Sequence, residues 1–447
     1  MDVRSFLAAA EARQWVRHVS VTVDRRLELA RVIHALGEEP TIFEAVEGWS
    51  GGVVAGLCAR RRNFALALGV AEQDLLGTMV SALRKPTPPK RVTEAPCQEM
   101  IVEEVDLDRF PILTHFSEDG GPYVTAGVAI VLDPELGRNL AFHRLMQVGR
   151  RTFTARLVEG RGTHTAWKKA QGNLPMAVCI GAPLQVQLAA ATSPAPGVDE
   201  LAIANTLAPT PTVPALGLPF DIPAECEIVL EGYLAQELAD EGPFVDLTRT
   251  RDFVRQQPFF VVQRITHRRD PIYQALLPGG YEHRLLMGMP RECTIYDAVS
   301  RVCSHCDVAL TPGGGHWLHA VVSIGKSSPD DGRAAIEAAF GGHPSLKHVI
   351  VVDDDVDPRQ SHEVEWAVAT RVQGDRDLVL LKDQPGSSLD PSARHVPGQK
   401  TRTCKMGLDA TIHWDTPDGP IHLSRYRAVH YEEVDLARYL PEQGDMG

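Results

Sequence analysis

The pattern of apolar and polar positions divides the chain into three parts, and the first part predicts helices mixed with short strands. The chain start, MDVRSFLAAAEARQWVRHV, has the spacing of an amphipathic helix with charges throughout. Short apolar runs predict strands at 33–36 and 41–45, and residues 64–82 predict a helix. The stretch 83–96 is rich in proline and charge and is typical of a connector. We therefore expect an N-terminal α/β segment over residues 1–96.

The second part is dominated by short runs of alternating apolar residues, which favour strands. The runs expected to form strands are 125–132, 177–180, 184–187, 226–233 and 259–265. Turn signals such as Asp119-Gly120-Gly121-Pro122 separate them, and one helix is expected at 151–159. The pattern predicts a β-rich domain with helical insertions over residues 97–300.

The third part alternates apolar runs with helical patterns, which is typical of βαβ units and a mostly parallel sheet. The expected elements are helices at 293–303, 329–340 and 362–372 and strands at 320–324, 347–352 and 378–381. We expect a linker at 301–317, an α/β domain at 318–430 and a polar tail at 431–447. The fold class is therefore α/β, or α+β, with a β-rich domain joined by a helix to a C-terminal α/β domain.

Composition and charge narrow the class of protein. The chain has 447 residues, of which 44% are hydrophobic and 23% charged, so it is an ordinary globular protein. Asp and Glu outnumber Lys and Arg by 58 to 45, a net charge of −13, which argues against nucleic acid as a partner. The short basic run 60–62 is expected to be a solvated face. No run of about 18 apolar residues predicts a membrane span, and the chain start lacks a signal peptide. We expect a cytoplasmic protein.

Several motif-like features favour structural interpretations. Eight cysteines in a chain of this length do not make a disulfide scaffold. Cys303 and Cys306 form the only C-x-x-C, which lacks a second ligand pair and is expected on a buried helix. The triple glycine 313–315 lacks the rest of a phosphate-binding loop and predicts a tight turn before a strand at 320. The acidic run 353–355 is expected to cap or hinge rather than to bind metal.

A few polar residues in apolar or turn-like surroundings are candidates for chemistry. An arginine such as Arg144, close to a strand, usually needs a carboxylate partner, which by itself indicates only a structural ion pair. Glu241 and Asp246 flank a Gly-Pro turn that can bring both carboxylates to one site. Repulsion there would raise one pKa, as a proton donor requires, although an exposed acidic turn is the alternative. Glu200 and His164 carry little signal alone.

Separated segments of the chain, in this order, resemble the UbiD-type decarboxylases from about residue 97 to 415. The segments are PILTH and DGGPYVTAG before residue 128, NLAFHR with QV at 139–148, EIVLEG at 227–232, EGPF at 241–244, ITHRRDPI at 265–272, VIVVDDDV at 349–356 and KMGLDAT at 405–411. Each segment alone is weak evidence for the family, but the joint occurrence of all of them in this order is specific for it. The resemblance implies a split-barrel-like flavin-binding domain in the β-rich part.

The resemblance also implies prenylated FMN, a divalent metal (usually Mn²⁺) at its phosphate, and often K⁺. The positions that match the family's metal ligands are Asn139, His164 and Glu200. The cofactor-binding set it implies is Asn139, His143, Gln147, His164 and Lys405, with Lys405 pairing with the phosphate. Thr192 and Ser193 lie where the family approaches potassium.

The catalytic network implied by the resemblance matches Arg144, Glu241 and Asp246. The reaction it implies passes through a covalent adduct between substrate and prenylated FMN. Asp246 is then the acid that protonates the carbon after CO₂ has left, Arg144 holds the substrate carboxylate or tunes the acids, and Glu241 pairs with Arg144. The EGPFVD segment has valine at 245 where glycine is frequent, and its last acid is the shorter Asp.

The segment LPGGYEHRLLM at 277–287 is similar to members that act on small aromatic or heteroaromatic acids, such as pyrrole- or furan-carboxylates; indole-type and phenolic acids stay open. His283 and Arg284 are candidates to contact a polar ring or a second carboxylate, or to be structural. The implied partners are CO₂, a flavin prenyltransferase that supplies the cofactor, and further copies in a homodimer or homohexamer. The alternatives are an FMN-binding oxidoreductase and a non-catalytic flavin-binding or assembly protein.

Overall fold

A computed structural model describes residues 1–396, 399–417, 419–429, 432, 434–435 and 438–439. Its N-terminal segment combines helices with a small sheet. The elements are α1 (Val3–Glu11), β1 (Arg17–Val19), α2 (Glu28–Ala35), β2 (Thr41–Phe43), β3 (Val53–Ala55), α3 (Arg61–Leu68) and α4 (Leu75–Arg84), with a 3₁₀ turn at Glu72–Asp74. β1 and β2 pair in parallel and β2 and β3 antiparallel.

Two of the N-terminal predictions are wrong in detail. Residues 33–36 were expected as a strand, but Ile33 belongs to α2, whose buried residues Leu29, Ala30 and Ile33 follow helical spacing. The single helix expected at 64–82 is two helices, because α3 ends at Gly69, which adopts the left-handed conformation (φ 69°).

The central part is built on one large antiparallel sheet. Its elements are the strands β4 (Met100–Val102), β5 (Tyr123–Val124), β6 (Val128–Asp133), β7 (Gly137–Phe142), β8 (Leu145–Gly149), β9 (Thr152–Ala155), β10 (Leu174–Ile180), β11 (Thr212–Pro214), β12 (Asp221–Pro223), β13 (Ile228–Glu241), β14 (Phe244–Val245), β15 (Arg251–Asp252), β16 (Arg255–His267) and β17 (Tyr273–Gln274), the helices α5 (Gly162–Lys169), α6 (Leu184–Ala190) and α7 (Glu200–Leu207), and 3₁₀ turns at Pro96–Gln98 and Leu107–Arg109. Neighbours in the sheet run β5-β8-β9-β16-β13-β10-β6-β7, β4 pairs with β16, and β17 joins β3. The described strands form an open sheet, not a closed barrel.

Two expectations for this part are also wrong. Where a helix was predicted at 151–159, residues 152–155 form strand β9, which pairs with β8 and β16. The strand predicted at 184–187 is helix α6, every residue of which is buried. A helix that is covered on all sides has no polar face, so its sequence lacks the helical period.

Helix α8 (Tyr281–Val299) joins the sheet to the C-terminal part. There the elements are β18 (Cys306–Leu310), β19 (His319–Ile324), α9 (Asp331–Gly342), β20 (His348–Asp353), α10 (Ser361–Arg371), β21 (Leu378–Pro385) and β22 (Arg402–Asp409), with a 3₁₀ turn at Leu423–Arg425. The sheet order is β18-β19-β20-β22-β21. The pairs β19–β20 and β20–β22 are parallel, and the two edge strands are antiparallel to their neighbours. The expected βαβ core is present within a mixed sheet.

The structure corrects two smaller predictions here and confirms a third. Residues 301–317, expected as a linker, contain β18. Cys303 follows the end of α8 and Cys306 begins β18, so the two thiols do not share a helix. The triple glycine does form a turn before β19, with Gly315 at φ 68°. The tail expected at 431–447 lies mostly outside the described residues.

Two charged runs also differ from expectation. Asp353 and Asp355 of the acidic run hold the fully buried guanidinium of Arg371 at 3.0 and 2.9 Å, rather than capping a helix. In the basic run 60–62, Arg61 pairs with the buried Glu292, so this run is not a solvated face.

The hydrophobic core lies on both faces of each large sheet. One cluster packs α1, α3, α4, α6, α7 and α8 against the central sheet, and a second covers its other face together with α2. Two further clusters cover the faces of the C-terminal sheet. No single helix among the described residues is long and apolar enough to cross a membrane; the bent pair Arg61–Leu68 and Glu72–Arg84 meets the test only jointly.

Candidate active site

Arg144 lies in the gap between β7 and β8 and is the centre of a buried polar network. Its guanidinium donates from Nε and Nη2 to the two oxygens of Glu241 at 2.8 and 2.9 Å. Nη1 donates to Asp246 Oδ2 at 2.7 Å, and Nη2 also donates to Asp252 Oδ2 at 2.9 Å. The Arg144 side chain is only 8% exposed. The structure thus brings the three predicted catalytic residues together and adds a fourth.

The hairpin that follows β13 explains why these acids meet. β13 ends at Glu241, and β14 pairs with β15 so that the intervening turn returns Asp246 and Asp252 to the same guanidinium. Gly242 has φ 101°, which favours glycine, and a Cβ on Gly120 of the facing loop would overlap the Gly242 carbonyl. Close approach of these two loops therefore needs both glycines.

Asp252 and Tyr123 belong to this network and were not found by sequence analysis. Tyr123 Oη donates to Glu241 Oε1 at 3.1 Å. Burial and the charge of Glu241 raise the pKa of Tyr123, which keeps its proton on the hydroxyl. Tyr123 lies within one of the segments that carried the resemblance, whereas nothing local marks Asp252.

The carboxyl groups around the network differ in their tendency to hold a proton. Burial alone would raise the pKa of Asp252, but hydrogen bonds and charges from Arg255 and Arg144 outweigh it and lower that pKa. Asp252 therefore stays ionised as a partner of Arg144. The nearby carboxyl group of Asp119 is different, because burial raises its pKa to about 6 despite hydrogen bonds from the backbone N–H groups of Phe116 and His115.

His283, at the start of α8, lies next to the network. The Gly279 N–H donates to His283 Nδ1 at 3.1 Å, which leaves the proton of the neutral ring on Nε2. Burial lowers the pKa of His283, and the charges of Asp246, which raises it, and Arg144, which lowers it, act on it most strongly. Arg284 instead donates to the backbone carbonyls of Gly280 and Pro312. His283 can therefore donate a hydrogen bond near Asp246.

Glu38, from the N-terminal segment, fixes this end of α8. Its carboxylate accepts hydrogen bonds from the backbone N–H groups of Tyr281 at 2.7 Å and Glu282 at 2.8 Å. These N–H groups have no partner within the helix, and the helix dipole favours a negative charge there. Glu38 holds the first turn, and with it His283, in place.

The predicted metal and cofactor residues Asn139, His143 and Glu200 gather around β7 and α5. Asn139 Nδ2 donates to Thr163 Oγ1 at 3.1 Å, and His143 Nε2 lies 2.8 Å from the same hydroxyl. A Cβ at Gly162 would overlap Asn139 Oδ1, so only glycine lets the start of α5 approach that side chain. Glu200 Oε2 accepts from Leu140 N at 2.9 Å, which ties α7 to β7.

The donor set here fits a divalent cation. Burial raises the pKa of Glu200 to about 7, as expected of a carboxylate awaiting a positive partner. Carboxylate and amide oxygens suit a hard cation shared with phosphate. No group of three His, Cys, Asp or Glu side chains able to hold a metal occurs in the described part of the chain, so the fit rests on Asn139 as well.

The remaining predicted positions are less closely gathered. His164 is in the first turn of α5, and its Nδ1 accepts from Gly160 N at 3.3 Å. Gln147 donates to Asp108 and lines an open cavity of about 470 Å³ together with Arg25 and Arg26, on the rim of the central sheet. In the described structure, the Gln147 side chain therefore forms its hydrogen bond away from the other predicted cofactor residues.

Lys405 and the residues expected near potassium lie where the central and C-terminal parts meet. Lys405 Nζ, on β22, donates to Pro344 O at 2.8 Å. Thr192 Oγ1 donates to Ala189 O, and Ser193 Oγ accepts from Arg291. An ammonium group without a carboxylate partner suits a phosphate.

Sequence comparisons identify the family to which these features belong. The chain matches three domain profiles described as 3-octaprenyl-4-hydroxybenzoate carboxy-lyase: the N-terminal domain over residues 7–83, the Rift-related domain over 90–281 and the C-terminal domain over 284–410. The chain belongs to the UbiD family and is a carboxy-lyase.

Two curated relatives are both described as anhydromevalonate phosphate decarboxylase. The protein from Methanosarcina mazei is 39% identical over 416 residues, covering 92% of this chain and 96% of the relative. The protein from Methanothermobacter thermautotrophicus is 40% identical over 397 residues, covering 87% and 92%.

Solved structures confirm the mixed α/β fold. The UbiD-class enzyme HmfF from Pelotomaculum thermopropionicum, in complex with FMN, has a TM-score of 0.93 at 35% identity and covers 98% of this chain and 100% of its own. An evolved dimeric form of that enzyme was solved with prenylated FMN. The apo 3,4-dihydroxybenzoic acid decarboxylase from Enterobacter cloacae has a TM-score of 0.89 at 26% identity and covers 99% of each chain.

Proposed function

We propose that this protein catalyses the reversible, non-oxidative decarboxylation of a small acid whose carboxylate is attached to an sp² carbon. The observation that carries the proposal is the arrangement of Glu241, Asp246 and Asp252 around Arg144. A purely structural ion pair needs one carboxylate, whereas here a single buried guanidinium holds three.

The hydrogen bonds of Arg144 leave room for a substrate carboxylate. A guanidinium has five N–H donors, and four of them are used by Glu241, Asp246 and Asp252. The remaining N–H is on Nη1, beside Asp246. A substrate carboxylate bound there lies within reach of the acid that must later act on the same carbon.

Asp246 is the residue we assign as proton donor. Its side chain is 17% exposed, while those of Glu241 and Asp252 are 0% and 7% exposed, so it is the acid best able to regain a proton from solvent. When CO₂ leaves, the protonated carboxyl group of Asp246 gives its proton to the carbon that carried the carboxylate, and Arg144 stabilises the carboxylate that remains. Proton transfer by a positioned acid typically contributes about 10²–10⁴-fold to the rate.

Prenylated FMN, which was found with the solved relative, is the cofactor we propose for this chain. When bound, it supplies the electron sink that makes loss of CO₂ from an sp² carbon feasible. Asn139 and Glu200, with His164 as the less closely placed third ligand, would hold a divalent ion such as Mn²⁺. Lys405 would pair with the phosphate, and Thr192 and Ser193 lie where K⁺ is proposed.

Two substrate classes deserve separate tests. A phosphorylated unsaturated aliphatic acid is favoured by two relatives that are described as anhydromevalonate phosphate decarboxylase and are 39–40% identical over most of the chain. An aromatic acid is favoured by the shared fold with 3,4-dihydroxybenzoic acid decarboxylases. The heteroaromatic acids predicted from the 277–287 segment, of pyrrole, furan or indole type, belong to this second class.

The test is to co-express the protein with a flavin prenyltransferase, determine the mass of the released cofactor, and measure CO₂ release. The panel is anhydromevalonate phosphate, 3,4-dihydroxybenzoate, and furan-, pyrrole- and indole-carboxylates. Prenylated FMN and turnover of any one acid support the proposal. Unmodified FMN with redox activity but no CO₂ release favours an oxidoreductase, and folded protein without flavin favours a non-catalytic assembly protein.

Two proposals about partners accompany this function. We propose that a flavin prenyltransferase supplies the cofactor and that the C-terminal domain mediates assembly into a homodimer or homohexamer. Light scattering of the purified protein measures the second of these directly.

A further inference from the structure

Three segments of the chain converge beside the start of α8 and bring two arginines close together. Arg249 lies in the turn between β14 and β15, and Arg284 lies near the start of α8. A Cβ on Gly279, which has φ 64°, would lie 2.9 Å from Asp246 O and 3.4 Å from the Cα of Arg249. A Cβ on Gly315, in the triple-glycine turn, would lie 3.9 Å from the Cδ of Arg284. Both glycine turns therefore pack against the segments that carry the arginines.

The guanidinium of Arg249 is exposed and forms no hydrogen bond and no ion pair with the described residues. In contrast, Arg251 of the same hairpin lies 3.7 Å from a carboxylate oxygen of Glu118. The backbone of Arg249 has φ 57°, a left-handed conformation that a bulky residue adopts only at a cost. Such strained positions cluster at ligand-binding and active sites. The position of Arg249 therefore favours a role for its free side chain.

Arg284 is held in place by the backbone, yet most of its donors stay open. Its Nε donates to Gly280 O at 3.1 Å and its Nη1 to Pro312 O at 3.0 Å. A guanidinium has five N–H donors, so three on Arg284 have no acceptor among the described residues. None of the ion pairs formed within the described chain includes Arg284. Its guanidinium is thus oriented, but no carboxylate is bound to it.

The two guanidinium groups are close enough to act on each other. Burial and the charge of Arg249 lower the pKa of Arg284, although Glu38 and Tyr281 act in the opposite direction. The Glu38 carboxylate is engaged by two backbone N–H groups at the start of α8, so it forms no ion pair with either arginine. Two like charges in a partly buried place are costly unless an anion joins them. The space between the two arginines therefore suits an anionic group.

This pair of arginines lies next to the proposed catalytic network. Arg249 N donates to Asp246 O at 2.8 Å, and the side chain of Asp246 binds Arg144. The charges of Arg144 and Arg284 both act on His283. Two cationic sites, one for a substrate carboxylate and one for a second anion, therefore lie around the same histidine.

We propose that Arg249 and Arg284 bind the phosphate group of a phosphorylated unsaturated acid whose carboxylate is held by Arg144. Planar guanidinium groups bind phosphate oxygens in pairs and with defined direction. The inference rests on the function proposed above and selects one of its two substrate classes, because the aromatic acids named there carry no second anion. The site is separate from that of the cofactor phosphate, for which the resemblance implied Lys405.

The experiment uses protein loaded with FMN, so that the cofactor's own phosphate occupies its site. Calorimetry measures the binding of butenyl phosphate, of butenol, which has the same chain without the phosphate, and of inorganic phosphate. A second arm measures kcat and KM for anhydromevalonate phosphate and for the same acid without phosphate, on protein co-expressed with a flavin prenyltransferase. The variants are Arg249→Gln, which loses no side-chain contact, and Arg249→Lys. The matched control is Arg251→Gln, an exposed arginine on the same hairpin.

We expect the wild-type protein to bind butenyl phosphate more tightly than butenol or inorganic phosphate. Arg249→Gln should reduce the preference for butenyl phosphate over butenol at least about tenfold, because a charged hydrogen bond is lost. The same variant should raise KM for the phosphorylated acid by a similar factor with kcat little changed, as expected when binding alone is lost. Arg249→Lys should keep part of the preference, and Arg251→Gln should stay within about twofold of the wild type.

The inference is overturned if Arg249→Gln weakens butenyl phosphate and butenol equally, if it leaves the preference unchanged, or if Arg251→Gln lowers the preference as much. Inorganic phosphate that binds as tightly as butenyl phosphate also overturns it, because the site then takes a free anion. Thermal unfolding of each variant separates loss of binding from loss of folding.

Failure of the inference can be told from failure of the proposed function. Release of CO₂ from an aromatic acid, without any preference for butenyl phosphate, overturns the inference and leaves the function standing. Binding of butenyl phosphate that depends on Arg249, in protein that releases no CO₂ from any acid, overturns the function and supports the phosphate site.

Discussion

Arg144 and Asp246 are 102 positions apart in the chain, and Arg144 Nη1 donates to Asp246 Oδ2 at 2.7 Å. The contact forms because the β14–β15 hairpin folds the segment after Glu241 back over the guanidinium. Because Glu241 binds the other edge of the same guanidinium, the direction of Nη1 is set before any substrate arrives. The position of the proposed proton donor thus depends on Arg144.

Asp246→Asn tests that role directly. The amide keeps the size and the acceptor for Arg144 but has no acidic proton, so we expect turnover to fall by about 10²–10⁴-fold. Flavin content, measured by absorbance, should be unchanged. Asp240→Asn, at an exposed position near the end of β13, is the matched control and should keep full activity. Near-normal turnover of Asp246→Asn would refute the assignment.

Tyr123→Phe tests whether Glu241 needs its third hydrogen bond, beyond the two from Arg144. Removal of a hydroxyl donor to a buried carboxylate costs about 1.5–3 kcal/mol. We expect kcat to fall roughly tenfold, with little change in KM, because Arg144 is held less firmly. Tyr233→Phe, on β13, forms no side-chain hydrogen bond in the described structure and serves as control. A change in KM alone would indicate that Tyr123 contacts substrate instead.

Glu200→Gln tests the metal site. The glutamine oxygen can still accept from Leu140 N, so α7 should remain attached to β7 while the ligand charge is lost. We expect Mn²⁺ content, measured by elemental mass spectrometry, and flavin content to fall together, with thermal unfolding nearly unchanged. The control is Glu237→Gln, an exposed position on β13. Full metal occupancy in Glu200→Gln would exclude its role as a ligand.

Asp119→Asn tests the pH dependence of stability. The folded-state pKa of about 6 is above the unfolded value of 3.8, so the folded state favours the protonated form. Its contribution is present at low pH and is lost as the pH rises from about 4 to about 6. The variant's free energy of unfolding should therefore gain up to about 3 kcal/mol over wild type between pH 4 and pH 7. Urea unfolding at both pH values measures it.

The neighbouring Glu118→Gln is the control for this experiment, because Glu118 is exposed. It should show no such gain. If Asp119→Asn follows Glu118→Gln at both pH values, the carboxyl group of Asp119 is not desolvated as the structure indicates.

The accuracy of the helices and strands predicted from the sequence differs between parts of the molecule. In the C-terminal domain, the helices at 329–340 and 362–372 and the three strands were predicted close to their observed positions, because alternation of apolar runs and helical patterns is a local property. Helix α6 was missed because it is buried on all sides, and β9 because its short run was too brief to separate from a helix.

The residues of the candidate site also divide into those named from the sequence and those found only in the structure. The chemistry of Asn139, Arg144, Glu200, Glu241 and Asp246 was named from the sequence, through segments that resemble a family. Asp252, Tyr123 and Glu38 were not, because each acts through a partner far away in the chain.

By itself, the sequence determined the class of fold, the family and the residue types that carry the proposed chemistry, since these follow from local period and short motifs. The tertiary structure alone decided which distant groups meet: three carboxylates on Arg144, and Glu38 on the first turn of α8. The physical reason is that strand pairing and helix packing bring together groups whose sequence neighbours carry no record of the contact.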